Sequence, residues 1–257
     1  MDEMERYVTL LDAALEEAVV AALTQAAGAR PALMYSAGVD SAVLARVCQD
    51  AGYTPLLIAV GTTRSKDREF VERSRPYLAL PVRFIEIAEA DIAAALPAVR
   101  DLLQEAGVTP DKMHLSLGVG TYLACQVASR QGIGLLLSAQ GADSLFAGFY
   151  KHRSVPPDEL PAVLERDVQN ALRNDFARDR AIAASFGMRF AAPFLAPAVV
   201  GLALSIPVDL KLGPAGNKLI LRALARRRGL PEFIAQRPKK AMQYSTGIQK
   251  IVERLKG

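Results

Sequence analysis

Two short segments rich in small residues each carry one aspartate in a pattern suited to phosphate and cation binding. One runs from Ser36 to Ser41 (Ser-Ala-Gly-Val-Asp-Ser) and the other from Ser138 to Asp143 (Ser-Ala-Gln-Gly-Ala-Asp). A sharp turn into a helix leaves backbone N–H groups unpaired beside the positive end of the helix dipole, which suits a phosphate. Carboxylates from Asp40 and Asp143 can share a hard cation such as Mg²⁺, whose other positions go to water and phosphate. Each segment alone is also compatible with an ordinary helix cap.

A basic segment near the C-terminus is the third chemical feature. Residues 237–247 contain Lys239 and Lys240 beside Pro238, which restricts the backbone and prevents a continuous helix. A lysine on such a loop can direct its charge at a triphosphate, although a basic loop is also compatible with a solvated surface. Residues 206–257 hold 12 Lys and Arg against 3 Asp and Glu, whereas the first 205 hold 19 against 24. A basic C-terminal segment of this kind can bind nucleic acid or a polyphosphate, or it can serve only to keep the protein soluble.

Short apolar runs before the two small-residue segments predict the elements that position them. Apolar runs at 31–35, 55–60, 82–87 and 134–138 alternate with helical periodicity at 39–51, 67–78, 89–106 and 116–131. Continuous apolar runs are typical of parallel strands covered on both faces. We therefore predict an α/β fold with a doubly wound, mostly parallel sheet, whose ligands bind at the carboxyl ends of the strands near the topological switch point.

From about residue 156 onward the pattern predicts helices and no strand, at 157–185, 198–205, 217–228 and 246–255. We predict one domain over residues 1–257. It divides into an N-terminal packing helix (1–30), an α/β core that binds nucleotide (31–150), and a helical region with the lysine segment (151–257).

Composition predicts an intracellular globular protein. Hydrophobic residues make up 51% of the chain, and its two cysteines and two histidines lack the spacing of a disulfide framework or a zinc site, so a reducing cytoplasm is the expected location. The N-terminus is acidic where a signal peptide would be basic. The uncharged run 190–208 contains three prolines and is interpreted as buried core, so no membrane association is expected. His152 is expected at the surface.

Five sequence blocks, in order, resemble the synthetase domain of asparagine synthetase and β-lactam synthetase. They are Ser-x-Gly-x-Asp-Ser (36–41), Ser-x-x-Gly-Ala-Asp-x-Leu-Phe-x-Gly-Phe (138–149), Pro-Phe-Leu (193–195), Lys-Leu-Ile-Leu-Arg (218–222) and Leu-Pro-x-x-Ile-x-x-Arg-x-Lys (230–239). The ordered set spans most of the chain and is far more specific than any one block. The resemblance implies an ATP pyrophosphatase of the PP-loop type, with the adenine nucleotide alpha-hydrolase-like fold.

The resemblance further implies an ATP-dependent ligase that forms AMP and pyrophosphate. The carboxylate of an amino acid such as aspartate, or of another small acid, would attack the α-phosphorus of ATP, and ammonia or an amine would then displace AMP to give an amide. By position, the residues at ATP and pyrophosphate would be Tyr35, Ser36, Ala37, Gly38, Asp40, Ser41, Val60, Ser138, Ala139 and Gly141. Asp40 and Asp143 would bind Mg²⁺. Lys239 would be catalytic at the reacting phosphate, and Lys218 at the pyrophosphate.

Several positions depart from the family's usual residues. Ala37 replaces a glycine, which costs roughly 1 kcal/mol if that residue needs a positive φ. Gln140 and Ser144 replace carboxylates. Arg189 stands where β-lactam synthetase has a glutamate that assists base chemistry, and Ala191 stands where the family has an arginine. We therefore do not expect β-lactam closure.

The source of nitrogen and the general class of function are left with alternatives. Glutamine-hydrolysing asparagine synthetases place a nucleophilic cysteine after the initiator Met, whereas here Asp2 follows Met1. The nitrogen donor would then be free ammonia, a substrate amine, or ammonia delivered by a separate glutaminase subunit, and homo-oligomer formation stays open. The lost carboxylates suggest a second function, an ATP-binding pseudoenzyme or regulatory subunit. The basic segment suggests a third, a nucleic-acid-modifying PP-loop enzyme, but the chain lacks a CxxC pair and a basic stripe interleaved with aromatics, so nucleic acid is not expected.

Overall fold

A five-stranded parallel sheet forms the centre of the protein. The computed structural model describes residues 2–26, 28–63, 65, 67–238 and 246–256. In chain order the strands are β1 (Arg30–Met34), β2 (Leu56–Gly61), β3 (Val82–Glu86), β4 (Ile133–Leu137) and β5 (Arg189–Ala191). Their spatial order is β3-β2-β1-β4-β5, with every neighbouring pair parallel. The predicted doubly wound α/β fold is confirmed.

Helices cover both faces of this sheet. They are α1 (Glu3–Gln25), α2 (Val39–Asp50), α3 (Asp67–Ser74), α4 (Glu89–Glu105), α5 (Lys112–Ser129), α6 (Ala142–Leu145), α7 (Leu160–Asn170), α8 (Ala177–Ser185), α9 (Pro197–Ser205), α10 (Leu219–Arg227), α11 (Glu232–Ala235) and a C-terminal helix (Ile248–Lys256). Buried residues of α1, α2, α9 and α10 form the core on one face, and those of α4, α5, α8 and the C-terminal helix form the core on the other.

The central strands β1, β2 and β4 are mainly apolar because successive side chains enter opposite cores, whereas the edge strand β3 carries Arg83 and Glu86. In β4, Leu135 and Leu137 belong to the core beneath α1 and α2, whereas Leu136 belongs to the core beneath α4 and α5. In β1, Leu33 and Ala32 divide in the same way. Side chains alternate across a sheet, so a sheet covered on both faces needs an apolar residue at every position. This requirement produces the continuous apolar runs from which the strands were predicted.

The prediction of no strand after residue 156 was wrong. Strand β5 pairs with β4 through Leu135–Arg189, Leu136–Phe190 and Leu137–Ala191. A further hairpin pairs Leu212–Gly213 (β6) with Gly216–Asn217 (β7). β5 is three residues long and begins with an exposed arginine, and each hairpin strand is two residues long. Two or three residues are too few to show an alternating or continuous apolar pattern. Whether such a segment forms a strand depends on the strand beside which the fold places it.

Several helices also differ from the predictions, and the one predicted at 67–78 ends at Ser74, before a 3₁₀ turn at Arg75–Tyr77. The helix predicted at 116–131 begins earlier, at Lys112, because the Asp111 carboxylate accepts a hydrogen bond from the His114 N–H at 2.8 Å and caps the helix. The span predicted as one helix at 157–185 contains a π-helical turn at Ala171–Phe176 between α7 and α8. The helix predicted at 217–228 begins at Leu219, since Lys218 has a left-handed backbone conformation.

The uncharged stretch 190–208, predicted as buried core, lies only partly in the core, with exposed residues at 197, 198, 201 and 205. It ends β5, forms a 3₁₀ turn at Pro193–Leu195 and continues as α9, with Phe194 and Val199 fully buried. Within the described ranges, no helix has both the length and the apolar character needed to cross a membrane. The division into one domain with three regions stays a prediction.

Candidate functional site

The carboxyl ends of β1 and β4 meet at the centre of the sheet. β1 pairs with β2 on one side and with β4 on the other, so the chain order reverses between β1 and β4. In doubly wound sheets this reversal opens a crevice in which ligands bind. The segment 35–38 leads from β1 into α2, and the segment 138–141 leads from β4 into α6. The two small-residue segments therefore border one crevice.

Serine side chains shape the loop after β1. Ser41 Oγ accepts a hydrogen bond from the Ser36 N–H at 3.2 Å and donates to the Gly38 carbonyl at 3.2 Å. The Gly38 N–H in turn donates to Ser36 Oγ at 3.3 Å. These bonds join the end of β1 to the first turn of α2, which places Asp40 in that turn at the edge of the crevice.

Backbone strain is concentrated around this crevice. Among the described residues, the non-glycine positions with positive φ are Ala37 (55°), Ala147 (54°) and Lys218 (56°). Ala37 lies in the loop after β1, Ala147 follows α6, and Lys218 precedes α10. Left-handed conformations cost a non-glycine residue roughly 1–2 kcal/mol and occur most often at functional sites. Ala37 thus stands where the family's glycine would avoid strain.

Lys218 joins the two aspartates. Its Nζ lies 2.5 Å from Asp40 Oδ2 and 2.7 Å from Asp143 Oδ1, and its side chain is 1% exposed. Asp40 comes from the first turn of α2 and Asp143 from α6, whereas Lys218 lies 178 residues after Asp40. The fold therefore brings three of the predicted site residues to one point.

Arg222 and Asn217 hold Lys218 in this position. The Arg222 guanidinium donates to the Asn217 carbonyl at 2.7 Å and to its side-chain oxygen at 3.1 Å, and also to the Ala235 carbonyl at 2.5 Å. The Asn217 side-chain amide donates to the Gly148 carbonyl at 2.9 Å. Burial is the main influence on Arg222 and lowers the pKa of its guanidinium. These bonds connect the start of α10 to Gly148, which follows Asp143 in the sequence. Residues 218–222 therefore hold the Lys218 side chain at the two aspartates.

Gly148 allows the close approach of these groups. A Cβ at this position would lie 2.1 Å from Asp143 Oδ1 and 2.3 Å from Lys218 Cε. It would also lie 2.8 Å from the Asp143 Cα, so the backbone itself would have to move. Gly148 is part of the second sequence block, and this contact explains why that block needs a glycine there.

The two aspartates fit a magnesium ion. A cation at the position of the Lys218 ammonium would touch both carboxylates, and the buried Oδ1 of Asp40 accepts no hydrogen bond from the described residues. No group of three or more His, Cys, Asp or Glu side chains in the described ranges is arranged to hold a metal. Mg²⁺ often takes only one or two carboxylates and completes its shell with water and substrate phosphates. The donor set therefore suits a metal that arrives with a phosphate ligand.

Arg237, in the segment that follows α11, contacts the loop after β1. Its guanidinium donates to the Ser36 carbonyl and, at 2.5 Å, to Asp67 Oδ1, and it stacks 4.0 Å from the centre of the Phe70 ring. Asp67 is 4% exposed. Sequence reasoning did not identify Asp67, because no local pattern marks a partner 170 residues from its arginine. The predicted catalytic residue Lys239 lies in 239–245, outside the described residues.

Several predicted ATP-site residues turn their side chains away from the crevice. The Tyr35 hydroxyl bonds Ser74 Oγ at 2.8 Å, and burial raises the pKa of Tyr35 to about 12 despite that bond. Val60 is 6% exposed and packs in the core beneath α4 and α5. Ala139 packs against the opposite core. Tyr35 and Val60 therefore leave only their backbone for contact with a nucleotide, whereas Ala139 is partly exposed.

Gly141 and Ser138 shape the loop after β4. Gly141 has φ of 92°, and a Cβ there would lie 2.5 Å from the Leu195 side chain. The Ser138 N–H donates to the Ala191 carbonyl at 2.9 Å, which continues the β4–β5 pairing. The third sequence block, which contains Leu195, therefore packs under this loop and supports it.

Gln140 belongs to a buried polar network. Its amide nitrogen donates to Asp179 Oδ2, and Asp179 also accepts from Thr121 Oγ1 at 3.0 Å and from Arg178 Nε at 2.9 Å. Arg178 Nη1 lies 3.0 Å from His114 Nδ1. Burial, followed by the charge of Arg178, lowers the pKa of His114. Gln140, which replaces a carboxylate of the family, thus connects the loop after β4 to α8 and, through Asp179, to α5.

The predicted surface position of His152 was wrong. The residue is fully buried, and its Nε2 lies 2.8 Å from Asp167 Oδ2. Lys151 Nζ donates to the other Asp167 oxygen at 2.7 Å. Burial would raise the pKa of Asp167, but these two hydrogen bonds outweigh it and leave the pKa lowered. The basic neighbours Lys151 and Arg153 suggested exposure. Burial of the His152 ring is possible because Asp167 on α7 forms a hydrogen bond with its Nε2.

Arg189 does not face the crevice. It is exposed at the first position of β5, and its guanidinium donates to the Gln25 carbonyl at the end of α1. Cationic side chains commonly bind the last carbonyls of a helix in this way. Arg189 therefore stabilises the join between α1 and the sheet.

Comparison with known proteins agrees with the geometry. A family model described as asparagine synthase matches residues 10–159 and 153–256. A Methanocaldococcus jannaschii protein provisionally named glutamine-hydrolysing asparagine synthetase 1 is 31% identical over 233 residues, with 77% of this chain and 42% of that protein covered. An asparagine synthetase domain-containing protein of Saccharomyces cerevisiae is 34% identical over 125 residues, 48% of this chain and 23% of its own. The chain spans less than half the length of these relatives.

A solved structure supports the same fold. NMN synthetase from Francisella tularensis superposes with a TM-score of 0.50 at 14% identity, covering 100% of this chain and 87% of the other. At this identity the likeness concerns the fold alone. The family model, which matches nearly the whole chain, shows that the protein belongs to the asparagine synthase family.

Proposed function

We propose that the protein is an ATP-dependent synthetase that adenylates a small carboxylate with release of pyrophosphate and then forms an amide. Membership of the asparagine synthase family supports an ATP-dependent amidation chemistry. The carboxylate would be that of an amino acid such as aspartate, or of another small acid.

The observation that carries this proposal is the convergence of Asp40 and Asp143 on one cation position at the switch point. Both carboxylates lie within 2.7 Å of the same Lys218 nitrogen, at the ends of two neighbouring parallel strands. A helix begins beside each of them, although α6 has only four residues. Magnesium bound here would neutralise charge on the β- and γ-phosphates of ATP.

The proposed reaction has two steps. A carboxylate oxygen of the substrate bonds to the α-phosphorus while the bond from that phosphorus to the bridging oxygen breaks, so pyrophosphate leaves with the electron pair. The nitrogen of ammonia or an amine then bonds to the acyl carbon of the adenylate, the carbon–oxygen bond to AMP breaks, and the nitrogen loses a proton. Little covalent work falls to the protein, so positioning and electrostatic stabilisation dominate catalysis.

Each residue of the crevice has a proposed role in this reaction. Ser36, Gly38 and Ser41 would cradle the β- and γ-phosphates, and Tyr35, Val60, Ser138 and Ala139 would contact the nucleotide through backbone groups. Lys218 would bind the pyrophosphate. Lys239 would stabilise charge on the reacting phosphate, and Arg237, two residues before it, supports this proposal because it binds the Ser36 carbonyl.

The nitrogen donor stays open within the proposal. Free ammonia, a substrate amine or ammonia from a separate glutaminase subunit would each complete the second step. Supplying the purified chain with ammonium salts or with a panel of amines would separate free ammonia from a substrate amine.

Pyrophosphate exchange tests the proposal directly. Purified protein with Mg²⁺ should incorporate labelled pyrophosphate into ATP when the correct carboxylate is present, because adenylation is reversible before the amine reacts. Asp143→Asn should lower this exchange on the order of 100-fold, the loss typical for removing one preorganised electrostatic group. Asp158→Asn is the matched control, since Asp158 is exposed on a loop. If ATP binds but its α–β bond stays intact across a broad carboxylate panel, the proposal fails.

A second candidate is an ATP-binding subunit without adenylation chemistry. The observation that favours it is Gln140, whose side chain is committed to Asp179 in place of the family's carboxylate. Calorimetry that shows ATP binding, together with ATP turnover unchanged in Lys239→Ala, would favour this second function over the first.

A further inference from the structure

We propose that the Lys218 ammonium is a built-in substitute for the divalent cation, so that metal and nucleotide must enter the site together. In the protein without ligand it holds Asp40 and Asp143. When the metal arrives with a polyphosphate, the ammonium moves from the carboxylates to the pyrophosphate group. This inference deepens the proposed function and rests on it for the identity of the polyphosphate.

The charges at the site call for such a substitute. Two carboxylates from the first turns of separate helices, with side chains only 15% and 19% exposed, converge on one point, and like charges that share a site repel each other. The ammonium lies 2.5 Å from one carboxylate oxygen and 2.7 Å from the other. The ammonium therefore holds the two carboxylates together at the position that a metal would take.

The ammonium cannot leave the carboxylates without a new anion. The Lys218 side chain is 1% exposed, and Gly148 closes against its Cε. The backbone of Lys218 is fixed in a left-handed conformation by Asn217 and Arg222, so only the flexible side chain can move. A buried ammonium separated from its partners carries a large desolvation cost. Displacement by a bare metal ion is for this reason unfavourable.

A metal bound to a polyphosphate removes that obstacle. The phosphates bring negative charge next to the displaced ammonium, while the metal replaces it between the carboxylates. Each ligand thereby improves the site for the other, and such a coupling is reciprocal by thermodynamic necessity. The expectation is weak binding of the metal alone and strong binding of the metal–nucleotide complex.

Binding of Mn²⁺, followed by the loss of its free electron paramagnetic resonance signal without any nucleotide, tests this inference. Lys218→Met should bind Mn²⁺ about tenfold or more tightly than the wild type, within the usual range of coupling between sites. Lys218→Gln should behave in the same way and serves if the first variant does not fold. Lys211→Met is the matched control, because Lys211 is also 1% exposed but has no ion pair with either aspartate in the described structure. Lys211→Met should leave Mn²⁺ affinity unchanged.

Wild-type protein provides an arm that needs no variant. At Mn²⁺ concentrations at which the Mn²⁺–ATP complex saturates the protein, Mn²⁺ alone should stay mostly free. Stoichiometric Mn²⁺ binding without nucleotide would overturn the inference, as would equal Mn²⁺ affinity in Lys218→Met and wild type. Neither measurement requires turnover, so failure of pyrophosphate exchange with every carboxylate would remove the proposed function and leave this result to stand separately.

Discussion

Residues around Asp143 are packed so closely that an added Cβ at Gly148 would not fit. Gly148 lies so close to the Asp143 carboxylate and the Lys218 side chain that any Cβ would overlap both. Ala37, Ala147 and Lys218 adopt backbone conformations that glycine would adopt without strain. Strain of this kind persists only where the surrounding contacts enforce it. The site is therefore preorganised by close packing of backbone as well as by charge.

Gly148→Ala tests this packing. The added methyl group should destabilise the protein by about 1–3 kcal/mol, the usual cost of overpacking, and should sharply lower pyrophosphate exchange, because the Asp143 backbone must shift. Urea unfolding and the exchange assay measure the two effects. Gly201→Ala in α9 is the control, since nothing lies within 4 Å of its added Cβ. This control should gain roughly 0.5–1 kcal/mol of helix stability and keep its activity. Equal behaviour of the two variants would refute the close-approach argument.

At the scale of elements, Arg228 joins three helices. It follows α10 and forms ion pairs with Asp12 and Glu16 of α1 at 2.5 and 2.6 Å, and with Asp50 of α2 at 2.8 Å. Its side chain is 8% exposed, and its pKa is raised because these hydrogen bonds together outweigh the effect of burial, which is the largest single influence and lowers it. Lys218 directly precedes α10, so the ion pairs of Arg228 at the other end of α10 also help to hold Lys218 in place.

Arg228→Ala should destabilise the protein by about 1.5–3 kcal/mol, the range typical of hydrogen bonds to charged groups, since its three carboxylate partners stay partly exposed to water. Arg226→Ala is the matched control two positions away, because its pair with Glu232 is 43% and 60% exposed. Exposed pairs contribute little to stability, because water and salt screen their charges. Urea unfolding is the suitable measurement, since guanidinium would screen the charges. A similar loss in both variants would contradict the anchoring role.

At the scale of the whole molecule, the basic C-terminal part neutralises the acidic N-terminal part. Arg227 pairs with Glu5, Arg237 pairs with Asp67, and Arg254 pairs with Glu89. Arg228 and Lys218 do the same with other acids of the first half. The charge asymmetry of the sequence, which suggested nucleic acid or polyphosphate as partners, is therefore in part an internal complementarity that joins the two ends of the chain.

Arg237→Met tests this long-range connection. Asp67 would be left buried without its cation, which typically costs about 3–5 kcal/mol. The double variant Arg237→Met with Asp67→Asn should regain part of this stability but not the affinity for ATP, because the contact to the Ser36 carbonyl stays lost. Thermal unfolding and the KM for ATP, compared with kcat, separate the two effects. Arg254→Lys, at an exposed pair, serves as control. Recovery of ATP affinity in the double variant would argue against a positioning role for Arg237.

The central strands β1, β2 and β4 were readable from the chain because both faces of the sheet are covered there. Burial on two sides demands an apolar residue at every strand position, so β1 and β4 stand out as uninterrupted runs. β5 was missed because three residues cannot display such a run, and its pairing depends on β4. The start of α10 was misplaced because the left-handed conformation of Lys218 is imposed by distant partners.

The sequence by itself determined the fold class, the two strand-end loops with Asp40 and Asp143, and the family to which the chain belongs. These properties depend on local pattern: apolar periodicity, small residues at turns, and the order of short blocks. Only the tertiary structure decided that Lys218 lies between the two aspartates, that Asp67 receives Arg237, and that Gln140 is committed to a buried network. The physical reason is that ion pairs and close backbone approaches depend on distance in space, and these partners are separated by tens to hundreds of residues along the chain.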